Sequence, residues 1–321
     1  MNMVRFTAHS ALTAWQWGPF PLVVVACLVA AAYWYLRSDW RLAVRGRNWP
    51  TARRGSFLLG LVMIDLALQS PVATFAGSYF EAHVLQHLLL MVMAPVLLAL
   101  GAPSTLLLQT SNRRTKVLWL GVLRSRWFAG ITNPVVVWLF YFGGMLGFFL
   151  TPLVGIAMRH MALMDVLNLA FLASGCLYWW PMVGTDPIVH WKMGYGARML
   201  NILLGGPFEA FLGIAILGQQ QPIASMYTLA STHAGGGLLW AGTELSTIGG
   251  FIPIFLQWVR SEERQAMRDD HRDDRAAQAE AAGELPGAQV LPEPARKTTA
   301  WEAMWLARTG SVPHQGTVER T

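Results

Sequence analysis

The chain has 321 residues, 54% of them hydrophobic and only 13% charged, with a mean hydropathy of +0.38. Soluble domains carry about 25% charged residues, so the composition argues against a soluble protein with a large core and for a polytopic membrane protein. The formal charge of +6 comes from basic loops between apolar runs, which removes nucleic acid as its explanation.

Residues 1–16 read as an outward-facing leader. Residues 1–10 join no basic stretch to an apolar one, and no small-residue cleavage pattern follows, so no cleaved signal peptide is expected. Apolar runs at 17–36, 57–75, 83–100, 134–150, 161–180, 199–217 and 234–259 each suffice for a hydrocarbon core of about 30 Å. The expected fold is therefore all-α, a seven-transmembrane-helix bundle over 17–259. Pro71 and Pro95 are expected to kink or end helices. Gly235–Gly237, Glu244 and Gly249–Gly250 make the last span either irregular or tightly packed. Residues 260–321 turn charged and Ala-rich, then rich in Pro and Gly, as expected of a partly disordered cytoplasmic tail.

The loops set an orientation. Arg37, Arg41, Arg45, Arg47, Arg53 and Arg54 follow the first run. Arg113, Arg114, Lys116, Arg124 and Arg126 follow the third, and Lys192 and Arg198 follow the fifth. The alternate loops are nearly bare. The positive-inside rule then puts the N-terminus outside and the C-terminus in the cytoplasm. Cys27 and Cys176 lie inside apolar runs and suggest no disulfide framework.

Orientation gives the polar residues a depth. His83 and His87 are four apart, on one face near the outer end of the third run, and Met91 extends that face. His160 stands at the mouth of the fifth run beside Met158, Met161, Met164 and Asp165, and His233 at the start of the seventh. Histidines from three helices are thus expected to converge on the outer half of the membrane, where polar groups are costly unless paired, bound or wet. Imidazole with thioether suits copper, cuprous copper above all. The expected ligands are His83 and His87, with His160, His233 or Met91 completing the set. Glu81 and Asp65 are candidates to fix a ring tautomer, and Gln86, Asp165 and Asn168 add polar support. Glu209 and Glu244, nearer mid-membrane, read as bundle pairing groups or part of an ion path. The pair lacks the Glu of HExxH, so zinc proteolysis has no support, and no nucleophile, phosphate loop or haem attachment motif is visible.

The stretch AHVLQHLLLMVMAPVLLALGAP at 82–103 resembles the hallmark of the CtaG-like polytopic cytochrome c oxidase assembly family, of the caa3 type. NPVVVWLFYF at 133–142, GCLYWWPMVGTDP at 175–187 and GGGLLWAGTEL at 235–245 extend the resemblance. It implies a non-enzymatic, seven-helix protein of the cell inner (plasma) membrane, needed for active haem–copper oxidase. The implied role is help with copper-centre maturation from the outward side, as a metallochaperone whose partners are oxidase subunits and a soluble outward-side copper chaperone. His83 and His87 inherit the family's copper-handling suggestion, and His160 matches its histidine at the mouth of the fifth span. The chain departs from the pattern at Asn168, where relatives carry a histidine, and at Ser231-Thr232, where they carry Asp-Gln. Two alternatives stand beside copper delivery: a scaffold that stabilises an oxidase subunit without metal, and a transporter of copper or another solute.

Overall fold

Proline supplies the helix starts. Pro19 opens α1 (Pro19–Val44), where its missing N–H costs nothing, and Gly46, at φ 71°, turns the chain out of it. A computed structural model describes residues 13–187 and 190–281. Most of the expected leader, and the tail beyond residue 281, lie outside the described residues. No strand occurs among the described residues, and six helices are long and apolar enough to cross a membrane. They are α1, α2 (Thr51–Phe75), α3 (Phe80–Thr110), α5 (Met161–Val183), α6 (Tyr195–Leu217) and α7 (Leu229–Ala281). The expected fourth span is a shorter apolar helix, α4 (Pro134–Leu150).

Several of these helices are interrupted where the sequence demands it. In α2 the helix stops at Leu68 and restarts at Pro71, with the Ser70 hydroxyl accepting from the Val72 N–H at 3.1 Å. In α3 a π turn spans Leu89–Met93. Pro95 follows it; lacking an N–H, it cannot bond the Met91 carbonyl, and its ring needs room there. A second π turn, Leu139–Gly143, widens α4.

Close packing follows from small residues at the crossings. A Cβ on Gly175 of α5 would stand 2.5 Å from the Met91 carbonyl oxygen and 2.8 Å from Pro95. Gly101 of α3 lies against Phe57, and Gly235 of α7 against Phe80. The expectation that Gly235–Gly237 disturbs the last helix is resolved in favour of packing: the helix runs through them without a break. Tyr35, fully buried, donates to the Gly101 carbonyl at 2.8 Å, accepts from Trp49 at 2.8 Å and stacks on Phe57, pinning α1 to α2 and α3. Arg54 and Asp39 add an ion pair at 2.7 Å.

The basic stretch after α3 forms two short helices, Arg113–Arg124 and Arg126–Ile131, capped by Asn112 and Ser125. Val117, Leu118 and Trp127 are exposed beside these cations. The chain divides after Val259 into a second unit, whose described residues are helical and largely exposed.

Candidate metal centre

Helical spacing puts His83 and His87 on one face of α3, and that face points inward: their exposures are 0% and 2%. Their Nε2 atoms meet at 2.9 Å. Such a bond fixes complementary tautomers, because the donor ring carries its proton on Nε2 and the acceptor ring must carry its own on Nδ1. Both Nδ1 atoms are buried without a partner. Each orphan of this kind costs about 1–3 kcal/mol.

Aromatic rings surround these atoms rather than satisfy them. Phe171 of α5 stands edge-on to His87 at 4.6 Å, Phe148 of α4 stacks on His83 at 5.8 Å, and Phe149 and Phe80 close the sides. This aromatic cage came with no signal in the sequence beyond a general richness in Phe. Its rings offer negative faces to a cation and no competing ligand.

The other expected participants divide. Glu81 accepts from the Ser231 hydroxyl, which in turn accepts from the Phe80 N–H at 2.7 Å, so Glu81 bolts α3 to α7 and supports neither ring. Tyr227 strengthens that joint by donating to the Ala76 carbonyl at 2.7 Å; burial raises its hydroxyl pKa, and the Glu81 charge adds to the rise. Gln86 donates to the Ala67 carbonyl at 2.8 Å, tying α3 to α2. The second ring orienter expected, Asp65, is half-buried.

The expected convergence of histidines is not found. His160 caps α5 in an exposed position, and the His233 ring is bonded to the Gln219 carbonyl at 2.9 Å. Among the described residues no three His, Cys, Asp or Glu side chains form a metal-holding group. The expected orientation bears on the depth of these histidines and carries nothing about the direction each faces around its helix. Met91 is buried in the apolar core inside the π turn, whose wider winding interrupts the four-residue spacing from His87. Glu209 is buried and accepts from Ser246 at 3.0 Å, pairing α6 with α7 as one of the expected readings had it, whereas Glu244 is exposed.

What the structure does bring to the pair is a cavity of about 120 Å³. Its wall includes His83, Gln86, Met158, Met161, Met164 and Asn168. Asn168 is 5% exposed, and its Oδ1 has no partner. Asp165 also lines it, as does the tight link between α2 and α3 at Ala76 and Gly77.

Six helices long and apolar enough to cross a membrane, with a buried imidazole pair near the start of one of them, define the class as a polytopic helical membrane protein. The chain belongs to the cytochrome c oxidase caa3 assembly factor family (Caa3_CtaG), whose model matches residues 31–261. Among curated proteins it is 28% identical over 293 residues to an uncharacterized protein of Mycobacterium leprae, covering 85% of this chain and 43% of that one. It is 27% identical over 288 residues to an uncharacterized protein of Mycobacterium bovis, with 84% and 43% covered. The chain thus spans less than half the length of these relatives. No solved structure matches it.

Proposed function

We propose that this chain assists cytochrome c oxidase assembly by holding cuprous copper transiently at His83 and His87 and releasing it to an oxidase subunit or a soluble chaperone. The setting is a seven-helix protein of the plasma membrane, N-terminus outside, with the pair at the outward end. One observation carries this reading: two buried imidazoles point their Nε2 atoms at one another across 2.9 Å while both Nδ1 atoms go unpaired. A pair built for packing would satisfy those nitrogens. A pair built for a soft cation offers two nitrogen lone pairs at one point once the donor ring adopts its Nδ1–H tautomer. Two ligands without a third favour exchange over permanent storage.

The test is copper content and affinity of the purified protein under reducing conditions. Wild type is expected to bind about one cuprous ion in competition with a chelator, and H83A/H87A to lose at least tenfold in affinity, the scale on which weakening a metal site is felt. Equal binding by both proteins would overturn the site. The scaffold reading draws on the lack of a third classical ligand among the described residues. It predicts instead a deletion strain with less oxidase whose remaining complexes carry normal copper.

A further inference from the structure

We infer that the cavity beside His83 is a separate way station for the cargo, a thioether-lined inlet that accepts a monovalent soft cation before the histidine pair does. This rests on the histidine reading for the destination, and adds the route and the selectivity.

The geometry gives a gradient. Met161 is 80% exposed, Met158 and Met164 are half-buried, and His83 at the far wall is fully buried. Met161 and Met164 lie one turn apart at the start of α5, Met158 ends the short helix before it, and all three border the cavity. Core methionines fill gaps; Met158 and Met164 pack against the core on one side but border an open volume on the other, and Met161 stands clear of the core. A neutral thioether holds cuprous or silver ions and has little affinity for zinc or magnesium. Among the described residues Asp165 is the only carboxylate lining the cavity, beside the amide groups of Gln16, Gln86 and Asn168, so no carboxylate cluster competes with the three thioethers.

A second observation points to a ligand independently. The Asn168 carbonyl oxygen is buried in the same wall and unpartnered. An orphan acceptor is stabilised by a cation that has shed water, or by a water travelling with it, and the volume is ample for either. Asn168 precedes Phe171 by one turn on α5, and Phe171 touches His87. The orphan oxygen therefore lies between the methionines and the pair along that helix.

Silver is the probe, because it mimics the cuprous ion without redox chemistry. In full-length protein carrying H83A/H87A, the histidine site is gone, the far wall of the cavity is cut back, and its methionine and Asn168 walls remain. That variant is expected to retain one weakly held silver ion, and adding Met158→Leu, Met161→Leu and Met164→Leu to reduce the affinity by about tenfold or more. Leucine is close to methionine in volume, so the fold is preserved, and an unchanged melting temperature verifies it. Equal silver binding with and without the methionines would overturn the way station. In a background with both histidines intact, the same Met→Leu changes should slow copper loading from a chelator while leaving the one tightly held ion at the histidine pair in place. Loss of copper from H83A/H87A tests the histidine reading alone, so the two fail separately.

Discussion

At the scale of single residues the molecule carries an unpaid debt. His83 and His87 give each other one hydrogen bond and leave two ring nitrogens bare in an aromatic cage, and Asn168 leaves a third polar atom bare nearby. Burying a polar atom without a partner is tolerated where it does something besides hold the fold. Replacing both members of a buried polar pair by apolar groups of similar size is neutral or stabilising, whereas replacing one leaves the other stranded. H83L/H87L is therefore expected to melt at or above the wild-type temperature in detergent, and H87L alone below it. A double variant that melts several degrees lower would mean that the pair holds the bundle together. His83 and His87 were legible in the sequence because a four-residue spacing on an apolar helix already puts them on one face. The absence of His160 and His233 from the site was not legible. Membrane depth follows from hydropathy and loop charge, but the direction a side chain faces around its helix follows from packing, and the Gln219 carbonyl that takes His233 lies in a loop of no marked pattern.

At the scale of elements, α3 and α5 do most to form the site. Pro95 leaves the Met91 carbonyl without its helical N–H, the π turn opens at that point, and Gly175 lets the α5 backbone come against it. Close approach there brings Phe171 onto His87, so the cage depends on a glycine four residues away. The sequence marks Pro95 as an interruption, but not its form: a π turn adds one residue to a winding and leaves no periodic trace over five residues. G175A would drive a Cβ into backbone, which cannot move as a side-chain tip can. The expected cost is about 1–3 kcal/mol, read as a lower melting temperature together with weaker copper binding. A G237A control, whose Cβ would meet nothing within 4 Å, should change neither. If G175A behaved like the control, the contact between α3 and α5 would not be what sets the cage.

At the scale of the whole membrane unit, the cavity bears on how often the chain crosses the bilayer. Two contacts fix the relative direction of α3 and α5, His87 with Phe171 and Met91 with Gly175, and a third continues it just past the end of α5, where the Asp186 carboxylate accepts from the Thr105 N–H at 2.7 Å. Residue numbers rise together along both, so the two helices are parallel. Burial raises the Asp186 carboxyl pKa while the hydrogen bonds from Thr105 and Ser104 oppose the rise, as befits a side chain that closes this joint. A chain that ends one helix at the Thr105 end and begins a parallel one at the His83 end has to return between them, and α4 is the apolar helix available. At ~1.5 Å per residue α4 reaches about 25 Å, short of a ~30 Å core, which suits a return inside the bundle rather than a helix facing lipid along its whole length. Parity makes this testable. If α4 crosses, the links near Gly77 and Gln220 share one side, and those near Lys116 and Lys192 the other, in keeping with the basic loops being cytoplasmic. If α4 does not cross, every link after it changes side, so that Gln220 joins Lys116 and Lys192 joins Gly77. With Cys27 and Cys176 replaced by Ala, single cysteines at 77, 116, 192 and 220 can be exposed to a membrane-impermeant maleimide. Labelling of G77C and Q220C in intact cells, and of K116C and K192C only after permeabilisation, is the expected pattern. Labelling of K192C in intact cells together with protection of Q220C would remove the seventh crossing and, with it, the outward position of the histidine pair's inlet.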